Sequence, residues 1–150
     1  MDIEQTIRDY LPNIVHMSLA TSKDNKPWVC EVHFAYDEDL NLYFRSLASR
    51  RHSQEIAQNP HVAGNIVVQH ALDQPVRGVY FEGEACLLTS GEEQLKAAQY
   101  IEERLEKGES LLEEAKNGGH QFYKISVTTF YLFDSVESKP SQKYVLPWGK

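Results

Sequence analysis

The stretch LYFRSLASRRHSQEI, from Leu42 to Ile56, gathers Arg45, Arg50, Arg51 and His52 with Ser46, Ser49 and Ser53 around a single acid, Glu55. The rest of the chain leans the other way: 15 Lys plus Arg against 22 Asp plus Glu give a formal net charge of -7. Guanidinium groups donate paired hydrogen bonds to oxyanions and hydroxyls add neutral donors, so this set suits an anion such as phosphate. The cluster also falls where a strand hands over to a helix, whose first amides lack partners and favour negative charge. A helix terminus contributes about 0.3–1 kcal/mol and each hydrogen bond to a charged group about 1.5–3 kcal/mol, so the side chains would dominate. Two or three such bonds plus burial of a flat ring reach the roughly 8 kcal/mol of a micromolar ligand. The competing reading is a solvated face on which the arginines pair with nearby acids, and spacing alone leaves both open.

Other chemistry is sparse. The chain has no GxGxxG after its first strand, no GxxxxGK[ST] and no GxSxG, which argues against a dinucleotide fold, a P-loop and a hydrolase elbow. His16, His33, His52, His61, His70 and His120 never fall at i, i+4 spacing with a carboxylate, so no zinc motif is indicated. Glu82 and Glu84 share one strand face and read as exposed. Cys30 and Cys86 are too distant for CxxC and too few for a disulfide scaffold, so they are expected to be buried free thiols.

The elements that must position the cluster follow from periodicity. Ile3, Ile7, Tyr10 and Leu11 have helical spacing, stopped by Pro12. Alternation over 14–21 and 28–36, joined by SKDNKP, predicts a hairpin. Leu40, Leu42 and Phe44 form a third strand, expected to run antiparallel beside the second. A short helix then ends before Pro60. HVAGNIVVQ and VRGVYFEGEACLL are two further strands, with Gly64 and Gly83 marking bulges or close approaches. Ser90 with Glu93, and Ser110 with Glu113, have capping-box spacing for two helices, the second closed by NGG. The last strand, 121–133, places Tyr123, Ile125, Val127, Thr129, Tyr131 and Phe133 on one face and Phe122, Phe130 and Leu132 on the other. The tail 136–150 has no period and is either disordered or packed on something else.

This order does not alternate as parallel α/β units do, and it predicts a mainly β, α+β fold: a six-stranded antiparallel barrel with peripheral helices. At 150 residues, one domain over 1–150 is expected. No run approaches the ~20 apolar residues of a membrane span, and the acidic start MDIEQTIRDY lacks a signal peptide's features, so a cytoplasmic, membrane-free protein is expected. The net negative charge disfavours nonspecific nucleic-acid binding.

Three motifs in this order resemble the pyridoxamine 5′-phosphate oxidase-like, FMN-binding split barrels. LYFRSLASRRHSQEIAQNP is similar to that family's strand, loop and helix closed by Asn-Pro, with Ser46, Arg51 and His52 in the matching places. RGVYFEGEA resembles the strand with Arg at its start and Gly six residues later, here Arg77 and Gly83, and FYKISVTTFYLFDS resembles the last barrel strand. The likeness spans nearly all of residues 2 to 135 and implies a split barrel holding FMN. By resemblance, Ser46, Arg51 and His52 hold the phosphate, with Arg45, Ser49 and Arg50 in the same cluster. Backbone groups near Cys30, Glu31, Val32 and His33 meet the isoalloxazine edge. The family pattern also implies a homodimer with flavin at the subunit interface and an oxidoreductase acting on a small-molecule substrate.

Departures from the pattern redirect the expectation. The lysine expected after the flavin-contacting strand falls on Phe34, the glutamine expected after Arg77 falls on Gly78, and YVLPWGK lacks the basic substrate-binding tail, so vitamin B6 oxidation is not expected. His52 standing where lysine is usual is fully charged only when protonated, which implies weaker flavin binding above about pH 6.5. The alternative is a noncatalytic module using the same cleft for haem, pyridoxal phosphate or a deazaflavin.

Overall fold

The structure is a computed structural model that describes residues 1–105 and 110–149. Helix α1 (Ile3–Tyr10) is capped by Asp2, whose carboxylate accepts from the Gln5 amide at 3.1 Å, and it buries Ile7 completely. A 3-10 turn, Leu11–Asn13, leads into β1 (His16–Lys23) and β2 (Lys26–His33), a hairpin closed by Asp24 and Asn25 at φ 52° and 62°. Two positive φ values in a two-residue turn match the right-handed twist of the strands, which is why Asp and Asn serve there.

The run expected to be one strand over 28–36 breaks at Phe34. Phe34 is fully buried, its amide donates to Val15 O at 3.2 Å and its carbonyl accepts from Arg104 Nε at 2.8 Å, which turns the chain off the edge of β1. Only β3 (Ala35–Tyr36) then pairs with β4 (Leu42–Ser46), whose main neighbour is the last long strand rather than β2. Helix α2 (Arg51–Gln58) precedes β5 (His61–Val67) and β6 (Arg77–Leu87). Helices α3 (Gly91–Leu105) and α4 (Leu111–Lys116) follow, and Ser90 and Ser110 accept from the Glu93 and Glu113 amides at 3.4 and 3.3 Å. Gly118, at φ +81°, ends the segment.

Strand β7 (Gln121–Asp134) completes a curled, wholly antiparallel sheet in the order β2-β1-β5-β6-β7-β4-β3. Of the two readings of the tail, packing holds: β8 (Gln142–Pro147) pairs with residues 129–134 of β7, on the edge whose first part, 121–125, holds β4. The described residues therefore form eight strands, not six; β3 and β8 make the difference.

One bulge corrects the expected faces of β7. Glu82 pairs with Thr129 but Gly83 pairs with Val127, so Thr128 is an extra residue and the alternation changes phase there. Tyr123, Ile125 and Val127 point into the barrel before it, and Phe130 and Leu132 after it. Gly83 is required at this point because a Cβ would lie 2.4 Å from Ser126 O, and at Gly64 it would lie 2.4 Å from Ser18 O and from the Phe81 ring. The barrel core centres on Phe44, Phe81 and Phe130, and a second core beneath α3 and α4 is built on Tyr43, Phe122, Ala97, Ala98 and Ile101. The cysteines are free but not buried as expected: Cys30, on the edge strand β2, is half-buried against the barrel core, and Cys86, near the end of β6, is exposed.

Arg104 fastens α3 to this frame. Its guanidinium donates to the carbonyls of Phe34, Leu11 and Ile14 and lies 4.6 Å from the centre of the Phe34 ring. Arg77, the arginine of the second motif, is likewise architectural: Nε donates at 2.9 Å to the fully buried Asp134, which also accepts amides of Val136, Glu137 and Ser138. No described helix is long and apolar enough to cross a membrane.

Candidate functional site

β4 ends at Ser46 and α2 begins at Arg51, so the loop between them carries the cationic cluster to the rim of a cavity of about 440 Å³. Arg45, Ser46, Leu47, Arg50 and His52 form one wall, and Glu31, Val32, His33 and Phe34, where β2 leaves β1, form another. The apolar side chains of Ile101 and Leu105 from α3, with His16 and His120, complete it.

Seven of the ten residues expected from sequence are thus brought together: Glu31, Val32, His33, Arg45, Ser46, Arg50 and His52. Ser46 is buried, and its Oγ receives the Ser53 hydroxyl at 2.9 Å. Arg50, the residue that opens α2, has no side-chain capping bond. His52 is 8% exposed, and its Nε2 is buried without a hydrogen-bond partner. A buried polar atom left unpaired costs about 1–3 kcal/mol, so it calls for a partner supplied from the cavity. Burial holds the imidazole below its ordinary value, with Arg50 adding to that effect and Glu55 opposing it.

Cys30, Ser49 and Arg51 lie off the cavity wall. Arg51, placed by resemblance on the phosphate, instead donates through Nε to Glu55 Oε2 at 2.9 Å and stacks 4.2 Å from the centre of the Trp28 ring. Glu55, itself buried, accepts Thr21 Oγ1 at 2.8 Å on its other oxygen. The Arg51 bond, then the Thr21 bond, holds the Glu55 carboxyl below the usual range. This clamp locks α2 onto the β1–β2 hairpin, so for Arg51 the pairing of arginine with acid prevails. Arg45 is also paired, through Nη1 to Glu114 Oε2 at 2.5 Å, although it remains on the cavity wall.

Spacing within the motif did not show His16, Phe34, Ile101, Leu105 or His120. His16 was reachable from the hairpin, since it sits opposite His33 and the two rings lie 4.5 Å apart. Ile101 and Leu105 carried the apolar period of their helix. His120, one residue before β7, gave no local signal. Among the described residues no group of three or more His, Cys, Asp or Glu side chains is arranged to hold a metal ion.

Comparison with known proteins decides the family. The model for pyridoxamine 5′-phosphate oxidase matches residues 3–134. The chain belongs to the pyridoxamine 5′-phosphate oxidase-like split-barrel family. Among curated relatives, a UPF0306 protein of Photorhabdus laumondii is 26% identical over 97 residues, covering 64% of this chain and 68% of its own. UPF0306 proteins of Klebsiella pneumoniae and Yersinia pestis are matched over only 55% and 58% of their length. Two solved structures share the split-barrel fold. An FAD-binding protein of Mesorhizobium loti superposes with a TM-score of 0.71 at 18% identity, covering 90% of this chain and 96% of the other. The haem storage protein HutZ of Vibrio cholerae gives 0.70 at 14% identity, covering 99% and 96%.

Proposed function

We propose that the chain is an FMN-binding flavoprotein whose cavity holds the cofactor phosphate between Ser46, Arg50 and His52, and that it serves as an oxidoreductase for a small molecule. The observation that carries this reading is the orphaned, buried Nε2 of His52 on the same wall as Ser46 and Arg50. A phosphoryl oxygen is the partner that such an atom lacks. The opposite wall includes Glu31 and Val32 of β2, an edge strand of the sheet, and extended backbone of this kind suits a ring edge that alternates donors and acceptors. When bound, FMN supplies two-electron chemistry at its ring. The chain's own part is to grip the phosphate, exclude water with Ile101, Leu105 and Phe34, and orient the substrate beside the ring.

Burial of His52 refines how it would bind. Burial, then Arg50, disfavours the protonated imidazole in the free protein, and a phosphate dianion acts the other way, so binding is expected to carry proton uptake. A second copy of the chain is part of the proposal: β2 ends the sheet with Trp28 and Val29 at 40% and 59% exposure, an apolar strip that a homodimer would cover. We place the protein in the cytoplasm. Titration with FMN tests the reading, and sedimentation tests the dimer.

Four histidines on the cavity wall, His16, His33, His52 and His120, favour haem as the second reading. The visible spectrum separates the two, through flavin bands or a Soret band on addition of each ligand.

A further inference from the structure

Glu114 is shared by two cavity residues. Its Oε2 accepts Arg45 Nη1 at 2.5 Å and its Oε1 lies 2.9 Å from His120 Nδ1. The His120 bond, then the His120 amide and Arg45, hold this carboxyl below its usual range against a raising effect of burial. An ionised carboxylate only accepts hydrogen bonds, so the proton of neutral His120 sits on Nδ1. Nε2 is then a bare lone pair, and among the described residues it has no protein partner. Gln121 steadies the same corner, donating at 2.9 Å to the carbonyls of Ala115 and Gly119. His120 and Glu114 are each 41% exposed, so the imidazole exchanges protons with solvent while facing the cavity. Arg45 fixes the carboxylate, the carboxylate fixes the imidazole through Nδ1, and Nε2 is left for a ligand: this is how a proton-transfer group is oriented.

We infer that His120, oriented by Glu114, is the proton-transfer group of this cavity, serving a substrate whose two-electron exchange requires one proton, such as a quinone or another carbonyl. The inference rests on the flavin reading. Reduction of a quinone to its hydroquinone takes one hydride equivalent, supplied by the reduced flavin, and one proton. The proton leaves Nε2 of imidazolium His120 for the second quinone oxygen, and neutral His120 is reprotonated from solvent. Among the described residues, the charged and titratable groups that share the cavity with His120 are Arg45 on β4, Arg50 and His52 at the start of α2, and Glu31, His33 and His16 on the hairpin, with Glu114 on α4 bonded to His120 and Arg45.

Two measurements test it. In the protein as isolated, ring nitrogen NMR is expected to show neutral His120 protonated on Nδ1, with Glu114→Ala moving the proton toward Nε2. A wild-type Nε2–H tautomer overturns the inference. In the FMN-loaded, dithionite-reduced protein, anaerobic oxidation by excess menadione is expected to slow as pH rises from 5.5 to 9. His120→Gln should be at least tenfold slower at pH 6 and flat with pH, with FMN affinity changed by less than about threefold. If the variant keeps the wild-type rate and pH profile while binding FMN, His120 moves no proton and only this inference fails. If wild type binds no FMN, the flavin reading itself fails, and the proton-transfer role falls with it.

Discussion

Arg50 and Arg51 are adjacent in sequence and opposite in assignment, which makes a pair of alanine substitutions decisive. Arg50 lies on the cavity wall and has no capping bond, whereas Arg51 is committed to Glu55 and Trp28. One hydrogen bond from a charged donor contributes about 1.5–3 kcal/mol, or roughly ten- to 150-fold in Kd at 1.4 kcal/mol per decade. Arg50 is exposed in the unliganded chain, and solvent screening puts the expectation for Arg50→Ala near the lower end, about tenfold. The assay is quenching of flavin fluorescence, run with FMN and with riboflavin, which lacks the phosphate. Arg50→Ala should weaken FMN and leave riboflavin unchanged. Arg51→Ala should leave FMN within about twofold and instead lower the Tm, by stripping the buried Glu55 of its arginine. Because Glu55 is held below its usual range in the fold, that stabilisation is complete above about pH 4.5 and fades as pH falls through the folded value, so the two Tm curves should converge in acid. Equal loss of FMN affinity in both variants, or none in Arg50→Ala, would refute the division of labour.

Other expected outcomes concern His52 and the frame. FMN affinity should fall as pH rises, because charge on His52 helps fully below its depressed free-state pKa and is lost as pH passes its ligand-raised one; His52→Gln should flatten a calorimetric pH series from 5.5 to 8. Arg104→Met removes the donor to three carbonyls and should cost about 2 kcal/mol or more, a fall in Tm of roughly 4–8 °C. Gly83→Ala forces a Cβ to within 2.4 Å of Ser126 O at the bulge and should lower the urea midpoint, by about 1–3 kcal/mol of stability.

The parts legible in sequence were those governed by local rules. Periodicity, capping-box spacing and Pro60 located the four described α-helices and the long strands, and the resemblance named the family that the model match over residues 3–134 establishes. What escaped was set by long-range pairing. β8 has little period of its own and exists because β4 leaves the upper edge of β7 unpaired. The phase change at Thr128 requires knowing that β6 lies opposite, although Gly83 hinted at it. Arg50 and Arg51 look equivalent in a string of letters; the turn of α2 aims one at the cavity and the other at Trp28. His120 becomes visible only when β7 and α4 bring it beside Glu114.

The most direct test of a phosphate-gripping flavin cavity is an FMN titration of the purified protein, followed by fluorescence and visible absorption, with riboflavin as the comparator. The account predicts saturation at one FMN per chain, micromolar or tighter, with riboflavin bound at least tenfold more weakly. Equal affinity for both flavins, or no change in either signal up to about 100 µM FMN, would contradict it.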